Sequence, residues 1–305
     1  MAAPSNLREG EGKHALVTGL SGFTGRYLQR ELEAAGYRVF GTTLHDAAAS
    51  PDTFTVDLCE RAAVAALVAE VQPDVVAHLG AISFVAHADP GQVYQVNIAG
   101  TRNLLEALAA QPRRPQAVLL ASSANVYGNA GAAVIDEGVA PAPANDYAVS
   151  KLAMEHMAQL WRDALPIIIA RPFNYTGVGQ DENFLLPKIV AHFRRGARSI
   201  ELGNLAVARD FSDVRVVAAS YRRLLAARPA GQLFNLCSGQ AHTLASVLGL
   251  MGDIAGYQIE VVRNPALVRS GEVLRLVGCN ARLRSVIGAL ALVPLAETLR
   301  WMYRA

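Results

Sequence analysis

One eight-residue run, Thr18-Gly19-Leu20-Ser21-Gly22-Phe23-Thr24-Gly25, constrains this chain more than any other feature. It follows a short apolar stretch, residues 14–18, and precedes helical spacing over 25–35 that stops at Gly36. The glycines fall three apart, G-x-x-G-x-x-G. A strand, a glycine turn and a helix in that order open a βαβ unit. The turn must be tight, its backbone must approach a pyrophosphate, and the helix N–H groups must face the anion. Gly19, Ser21, Gly22, Phe23, Thr24 and Gly25 are therefore expected to hold a dinucleotide cofactor.

The rhythm continues. Strands are expected at 38–42, 54–56, 75–79, 117–121 and 167–170. Helices are expected at 61–71, 93–110 and 147–161, the first two ended by Pro73 and Pro112. Such alternation implies right-handed crossovers and a Rossmann-like, doubly wound parallel sheet, here residues 1–171. Beyond Arg171 the pattern loosens. Helical patches at 185–195, 214–227 and 244–255 mix with strands at 199–202, 233–237 and 259–262. This reads as a smaller C-terminal α/β substrate-binding lobe, residues 172–305, with segments near 209–236 returning to the first domain. The apolar stretches 62–69, 167–170 and 289–293 read as core helix or buried strand. Residues 1–13 lack an apolar signal core and read as a short floppy leader.

Composition excludes several classes. Hydrophobic residues make up 52% of the 305 and charged residues 18%, which no disordered chain shows. The net charge is +2 with no block of like charges, so a nucleic-acid partner is not expected. Apolar runs stop short of the roughly 18–20 residues that span a membrane. Cys59, Cys237 and Cys279 are widely spaced, with no CxxC, so neither a disulfide framework nor a metal site is expected. A cytoplasmic location fits these features.

Cofactor choice turns on the second strand. A carboxylate about 20 residues past the glycines marks an NAD site. Here the neighbourhood is Gly41-Thr42-Thr43-Leu44-His45, with no acid until Asp46. Small hydroxyls such as Thr43 tolerate a 2′-phosphate better than a carboxylate does, so NADP(H) is favoured over NAD(H). Asp57-Leu58 is placed either for the adenine edge or as a solvated strand end.

Tyr147-Ala148-Val149-Ser150-Lys151 sets a phenol and an ammonium four residues apart, on one helical face. A phenol titrates near ~10, so it needs a nearby cation to exchange a proton near neutrality. Ser122-Ser123-Ala124-Asn125 ends the fifth strand, and Asn97 sits in the long helix before it. These pieces, with His78-Leu79-Gly80-Ala81 and Arg171-Pro172-Phe173-Asn174, resemble the extended short-chain dehydrogenases/reductases that act on nucleotide sugars. The matching pieces run from Ala15 almost to the C-terminus.

The resemblance implies roles. Tyr147 would be the general acid/base, Ser123 would bond the same substrate oxygen, Lys151 would tune Tyr147 and grip the ribose, and Asn97 would order a proton relay. Leu79, Gly80 and Ala81 would line the cofactor. Ser83, Asn125, Asn174, Lys188, Arg209, Arg269 and Glu272 would contact a nucleotide-sugar substrate. Arg209 belongs to Arg209-Asp210-Phe211-Ser212-Asp213-Val214, and its forked donors suit a diphosphate.

Within the family, segments 203–211, 234–239 and 269–273 resemble reductases of GDP-linked 4-keto-6-deoxy sugars, hexose or 6-deoxy-heptose. Dehydratases of the family carry an acid beside the serine or threonine. Here Ala124 and Asn125 stand there, and neither serves as a carboxylate. A 4-epimerase, a dehydratase-like enzyme and a non-catalytic dinucleotide binder are the alternatives. A homodimer paired through the helices at 93–110 and 147–161 is what the family implies.

Overall fold

The computed structural model describes residues 8–44, 50–83, 89–205, 207–267 and 273–305. In chain order the first elements are β1 (His14–Thr18), α1 (Phe23–Ala34), β2 (Arg38–Thr43), β3 (Thr53–Thr55), α2 (Arg61–Val71) and β4 (Val75–His78). Then come α3 (Pro90–Tyr94), a π-helical turn Gln95–Gly100, α4 (Thr101–Ala109), β5 (Ala117–Ala121), α5 (Asp146–Ala158) and β6 (Ile167–Pro172). The remainder runs β7 (Asn174–Thr176), α6 (Leu185–Arg194), β8 (Ser199–Leu202), β9 (Ala208–Asp213), α7 (Val214–Ala227), β10 (Leu233–Leu236), β11 (Ala241–Thr243), α8 (Leu244–Ala255), β12 (Glu260–Arg263), β13 (Arg275–Leu276), α9 (Ala281–Ile287) and α10 (Leu295–Arg304).

The contacts gather the chain into two units. The first comprises residues 1–122, 150–170 and 218–233; the second comprises 123–149, 171–217 and 234–305.

The first unit is built on a seven-stranded sheet in the order β10-β6-β5-β4-β1-β2-β3. Pairings from β3 across to β6 are all parallel. Parallel strands need crossovers, and crossover helices cover both sheet faces, so β1, β4, β5 and β6 read as almost uninterrupted apolar runs. On one face Leu16, Val76, Val118 and Leu120 pack with Val64 and Val68 of α2, Leu104 and Leu108 of α4, and Met154 of α5. Each such side chain contributes about 1.5–3 kcal/mol of burial. The chain leaves β1 toward β3 and then returns to β4 beside β1. That reversal opens a crevice at the carboxyl ends of β1 and β4, where doubly wound sheets bind ligands.

In the second unit β9 is the hub. It pairs in parallel with β7 and β13 and antiparallel with β11. A separate parallel pair joins β8 to β12. Helices α6, α8 and α10 enclose a core of Leu186, Ile189, Phe193, Val247, Met251, Leu299 and Met302.

Several sequence expectations need correction. The helix expected at 93–110 is present but begins at Pro90 and carries a π turn, Gln95–Gly100, within it. The C-terminal part of the helix expected at 147–161 tightens into a 3-10 turn, Gln159–Trp161. Residues 289–293 form neither helix nor strand, and Leu292 is exposed. β9, α9 and α10 lie where no clear period marked them. The leader expected at 1–13 is anchored over its described part. Gly10 N–H bonds Ala35 O, Glu9 pairs with Arg222, and Gly10 lies so close to the Tyr37 ring that a Cβ would clash. Cys237 is buried and Cys279 is half-buried. Asp46, His87, Arg269 and Glu272 lie outside the described residues.

Candidate active site

The first unit holds the glycine turn. Gly19 adopts φ +71°, a region that favours glycine, and a Cβ there would come within 3.0 Å of the Gly80 backbone. A Cβ on Gly25 would meet Gly19 O and Leu20 O at 2.4 Å. The turn is therefore pressed between the start of α1 and the end of β4, with space that only glycine leaves. Helix α1 starts at Gly22 with no side-chain cap and no acid in its first turn. Its N-terminus presents partial positive charge unscreened by a neighbouring carboxylate.

Hydroxyls fasten the turn to β2. Gly19 N–H bonds Thr42 Oγ1 at 3.1 Å, and Ser21 Oγ donates to Thr43 Oγ1 at 3.0 Å. Phe23 and Thr24 form the first residues of α1. The exposed Asp57 caps Cys59 N–H at 2.9 Å. Leu58 is buried beside Gly80 and Gly100. Leu79 N–H bonds Thr18 O, Gly80 N–H bonds Thr18 Oγ1, and Ala81 and Ser83 follow at the loop. Ser83 is exposed. The cradle, the uncapped helix start and the paired hydroxyls fit a dinucleotide pyrophosphate and its adenosine ribose.

Asn97 lies in the π turn. Its Oδ1 accepts from Ile82 N–H at 2.9 Å, and its Nδ2 donates to Ile82 O and to Ser150 Oγ. Lys151 follows Ser150 on α5. It is buried, and Nζ donates to Ala121 O at 2.8 Å. Burial lowers its pKa to about 8, with Glu155 opposing. Glu155 lies one turn further along α5 and accepts a hydrogen bond from Ser122 Oγ.

In the second unit Ser123 caps a short 3-10 turn, Ala124–Tyr127. Its Oγ accepts from Asn125 N–H at 3.2 Å and from Asn125 Nδ2 at 3.1 Å. The Ser123 hydroxyl is also hydrogen-bonded to the Tyr147 phenol. Burial pushes Tyr147 up to about 12; the Ser123 bond opposes this and Tyr175 adds to it. Tyr147 is thus held as a protonated phenol, one helical turn before Lys151.

The other sequence-derived substrate contacts are spread along the second unit. Asn174 is exposed on β7, in register with Phe211 of β9. Arg209 donates to Ala208 O at 3.1 Å. Lys188 Nζ donates to Glu201 O on β8 at 2.9 Å. The two acids of the Arg209–Val214 segment serve architecture. Asp210 accepts from Ser238 N–H, Ser238 Oγ and Gly239 N–H, and Asp213 accepts from Arg215 and Thr298.

Two further residues, one in each unit, had no role from the sequence. His78, at the end of β4, bridges Thr18 and Thr101. Its signal was a polar residue closing an otherwise apolar strand, Val75-Val76-Ala77-His78. Tyr175, beside Tyr147, gave no signal of its own.

Known proteins are similar to this chain over most of its length. The GDP-6-deoxy-D-mannose reductase of Pseudomonas aeruginosa PAO1 is 38% identical over 93% of this chain and 94% of its own length. The GDP-6-deoxy-D-talose 4-dehydrogenase of Aggregatibacter actinomycetemcomitans is 34% identical over 90% of each. The structure of RMD from Pseudomonas aeruginosa complexed with NADPH superposes with a TM-score of 0.83 at 35% identity, over 96% of this chain and 98% of that one. A candidate epimerase from Burkholderia cenocepacia J2315 superposes with a TM-score of 0.91 at 55% identity, over the same shares. Residues 15–237, from the first strand through the glycine turn and Tyr147 to β10, match the NAD dependent epimerase/dehydratase family, and the chain belongs to it.

Proposed function

We propose that this protein is an NADPH-dependent reductase of a nucleotide-diphospho-4-keto-6-deoxy sugar, GDP-linked, acting on the C4 ketone. The observation that carries the reading is the Ser123–Tyr147 hydrogen bond with Lys151 one turn along α5. Two relatives that act on GDP-linked 6-deoxy sugars, similar over nine-tenths of the chain, support the substrate class.

The chain's residues divide the work. Gly19, Gly22, Gly25 and Gly80 shape the cradle, and Ser21 and Thr43 offer hydroxyls where an NAD site would carry an acid. NADPH, when bound, supplies the hydride. A ketone that gains hydride at carbon must gain a proton at oxygen. Tyr147 holds that proton at neutral pH, since its pKa lies at about 12. Ser123 accepts two N–H bonds through Oγ, so its one hydrogen is left for the Tyr147 oxygen, which frees the phenol proton for the ketone. Lys151, a cation below about pH 8, stabilises the phenolate that the transfer leaves behind. Asn97 fixes the 82 loop and Ser150 beside Lys151. Arg209, Asn174 and Arg269 are assigned to the diphosphate, and Asn125, Ser83, Lys188 and Glu272 to the sugar and nucleoside.

Elimination of water is disfavoured. Ala124 is buried, and Asn125, whose Nδ2 donates to Ser123, is an amide with no carboxylate to act as acid or base. We further propose a cytoplasmic homodimer. Apolar side chains at the solvent, Val149 on α5 and Leu160 just beyond it, support the pairing surface. Among the described residues no helix is long and apolar enough to cross a membrane.

The test is turnover. Purified protein with NADPH and a panel of GDP-, dTDP- and UDP-linked 4-keto-6-deoxy sugars should consume NADPH with the GDP-linked ketone. Absence of consumption with every member would remove the reading. Light scattering after size exclusion should return twice the 32.4 kDa chain mass.

A further inference from the structure

A buried chain of hydrogen bonds crosses the first unit with a defined polarity. Gly80 N–H donates to Thr18 Oγ1 at 3.0 Å. Thr18 Oγ1 lies 2.7 Å from His78 Nδ1, and His78 Nε2 lies 2.8 Å from Thr101 Oγ1. Thr101 Oγ1 donates to Asn97 O at 2.8 Å. A hydroxyl has one hydrogen, and that of Thr101 is spent on Asn97 O. Thr101 must therefore accept from His78, which places the imidazole proton on Nε2. Nδ1 is then an acceptor, and Thr18 donates to it. The tautomer follows from the partners.

The far end of this chain is unusual backbone. Residues Gln95–Gly100 form a π turn, and the Thr101 N–H at its end bonds Ile98 O. The Thr101 hydroxyl donates to Asn97 O within it. That hydroxyl bond ties the start of α4 to the π turn, and a hydrogen bond of this kind contributes about 1 kcal/mol. Turns of this type concentrate at functional sites. The near end is Gly80, against which Gly19 of the cradle is packed.

We propose that His78 is a positioning residue of the reduction, an imidazole locked as the Nε2–H tautomer that ties the Gly80 side of the cofactor cradle to the Asn97 turn. It touches no reacting atom. Through Thr18 it holds the strand end that backs the glycine turn. Through Thr101 it holds the turn from which Asn97 grips Ile82 and Ser150, the neighbour of Lys151. Burial lowers the His78 pKa to about 3, with Lys151 adding to the effect, so the neutral form persists across the working range.

Two substitutions cut the chain on opposite sides. In His78→Asn the amide stands where Nδ1 does and keeps the Thr18 bond. In His78→Gln it reaches where Nε2 does and keeps the Thr101 bond. Only the kinetic arm of the test rests on the reductase reading. His78→Asn and Thr101→Val should lower kcat by about tenfold or more with KM for NADPH within about threefold, whereas Thr101→Ser restores kcat. His78→Gln should keep kcat within about threefold and raise KM for NADPH by about fivefold or more. Equal losses in both histidine variants, in proportion to lost folded protein, would reduce His78 to a packing residue. So would a Thr101→Ser enzyme as slow as Thr101→Val.

The second arm needs no turnover. Amide hydrogen exchange on the full chain should quicken about tenfold or more at 95–102 in Thr101→Val and His78→Asn, while the β1 and β5 amides stay protected. Nitrogen-15 spectra should show His78 as the Nε2–H tautomer between about pH 5 and 8. Unchanged exchange, or a His78 that is charged or protonated at Nδ1, overturns the proposal. If the wild-type chain turns over no keto sugar while exchange and tautomer follow expectation, the reductase reading fails and the positioning of the Asn97 turn stands.

Discussion

Lowering the pH from 7 to 5 should destabilise this protein by an amount that His78 makes calculable. Its imidazole is buried between two threonine hydroxyls and titrates at about 3 when folded. In the unfolded chain it titrates near ~6.5. The folded pKa is depressed, so between these values the unfolded chain binds the extra proton. The stabilising contribution is therefore present above about pH 6.5 and lost as pH falls. At pH 5 the loss from this one group is about 2 kcal/mol, and by pH 3 it reaches about 4 kcal/mol. Urea unfolding at both pH values, on wild type and His78→Gln, isolates the term, because every other titrating group is shared. The variant starts less stable but should lose about 2 kcal/mol less between pH 7 and pH 5. Parallel pH dependence in the two proteins, within about 0.5 kcal/mol, would refute the claim that His78 is buried and neutral.

Other perturbations have clear signs. Tyr147→Phe should lower turnover by about 10²–10⁴-fold while NADPH affinity stays within about threefold, measured by stopped-flow turnover and cofactor fluorescence. Lys151→Met removes a buried cation whose pKa is lowered to about 8, so thermal unfolding at neutral pH should rise or hold while activity collapses; a large loss of stability would contradict the burial argument. Gly25→Ala places a Cβ 2.4 Å from two carbonyl oxygens and should abolish NADPH binding in calorimetry. Gly131→Ala, at φ +70° with nothing within 4 Å, should cost only about 1 kcal/mol and spare binding.

The sequence was most legible where function makes a local demand on the backbone. A turn that must approach a phosphate needs Gly19 and Gly25, and the glycines are visible without knowing the rest of the chain. The strands of the parallel sheet were legible because both faces are buried and their apolar runs are short and bounded. β9 was not. Its sequence, Ala208-Arg209-Asp210-Phe211-Ser212-Asp213, carries two buried carboxylates whose partners lie far along the chain. Asp210 answers N–H groups at 238, 239 and 278, and Asp213 answers Thr298. No local pattern announces such pairings. Likewise Tyr147 and Lys151 share a helical face by spacing alone, but spacing does not say that Lys151 is buried and bonded to Ala121 O. Nor does an apolar strand ending in histidine reveal which tautomer its partners select.

Reduction requires Tyr147 to give a proton to the same ketone that takes a hydride at carbon. NADPH deuterated at the transferred position, supplied with the GDP-linked 4-keto-6-deoxy sugar, measures this directly. One deuterium should appear at C4 of the reduced sugar for each cofactor oxidised, with transfer lost in Tyr147→Phe. A product that is isomerised or dehydrated with no deuterium gained and no cofactor consumed would contradict it.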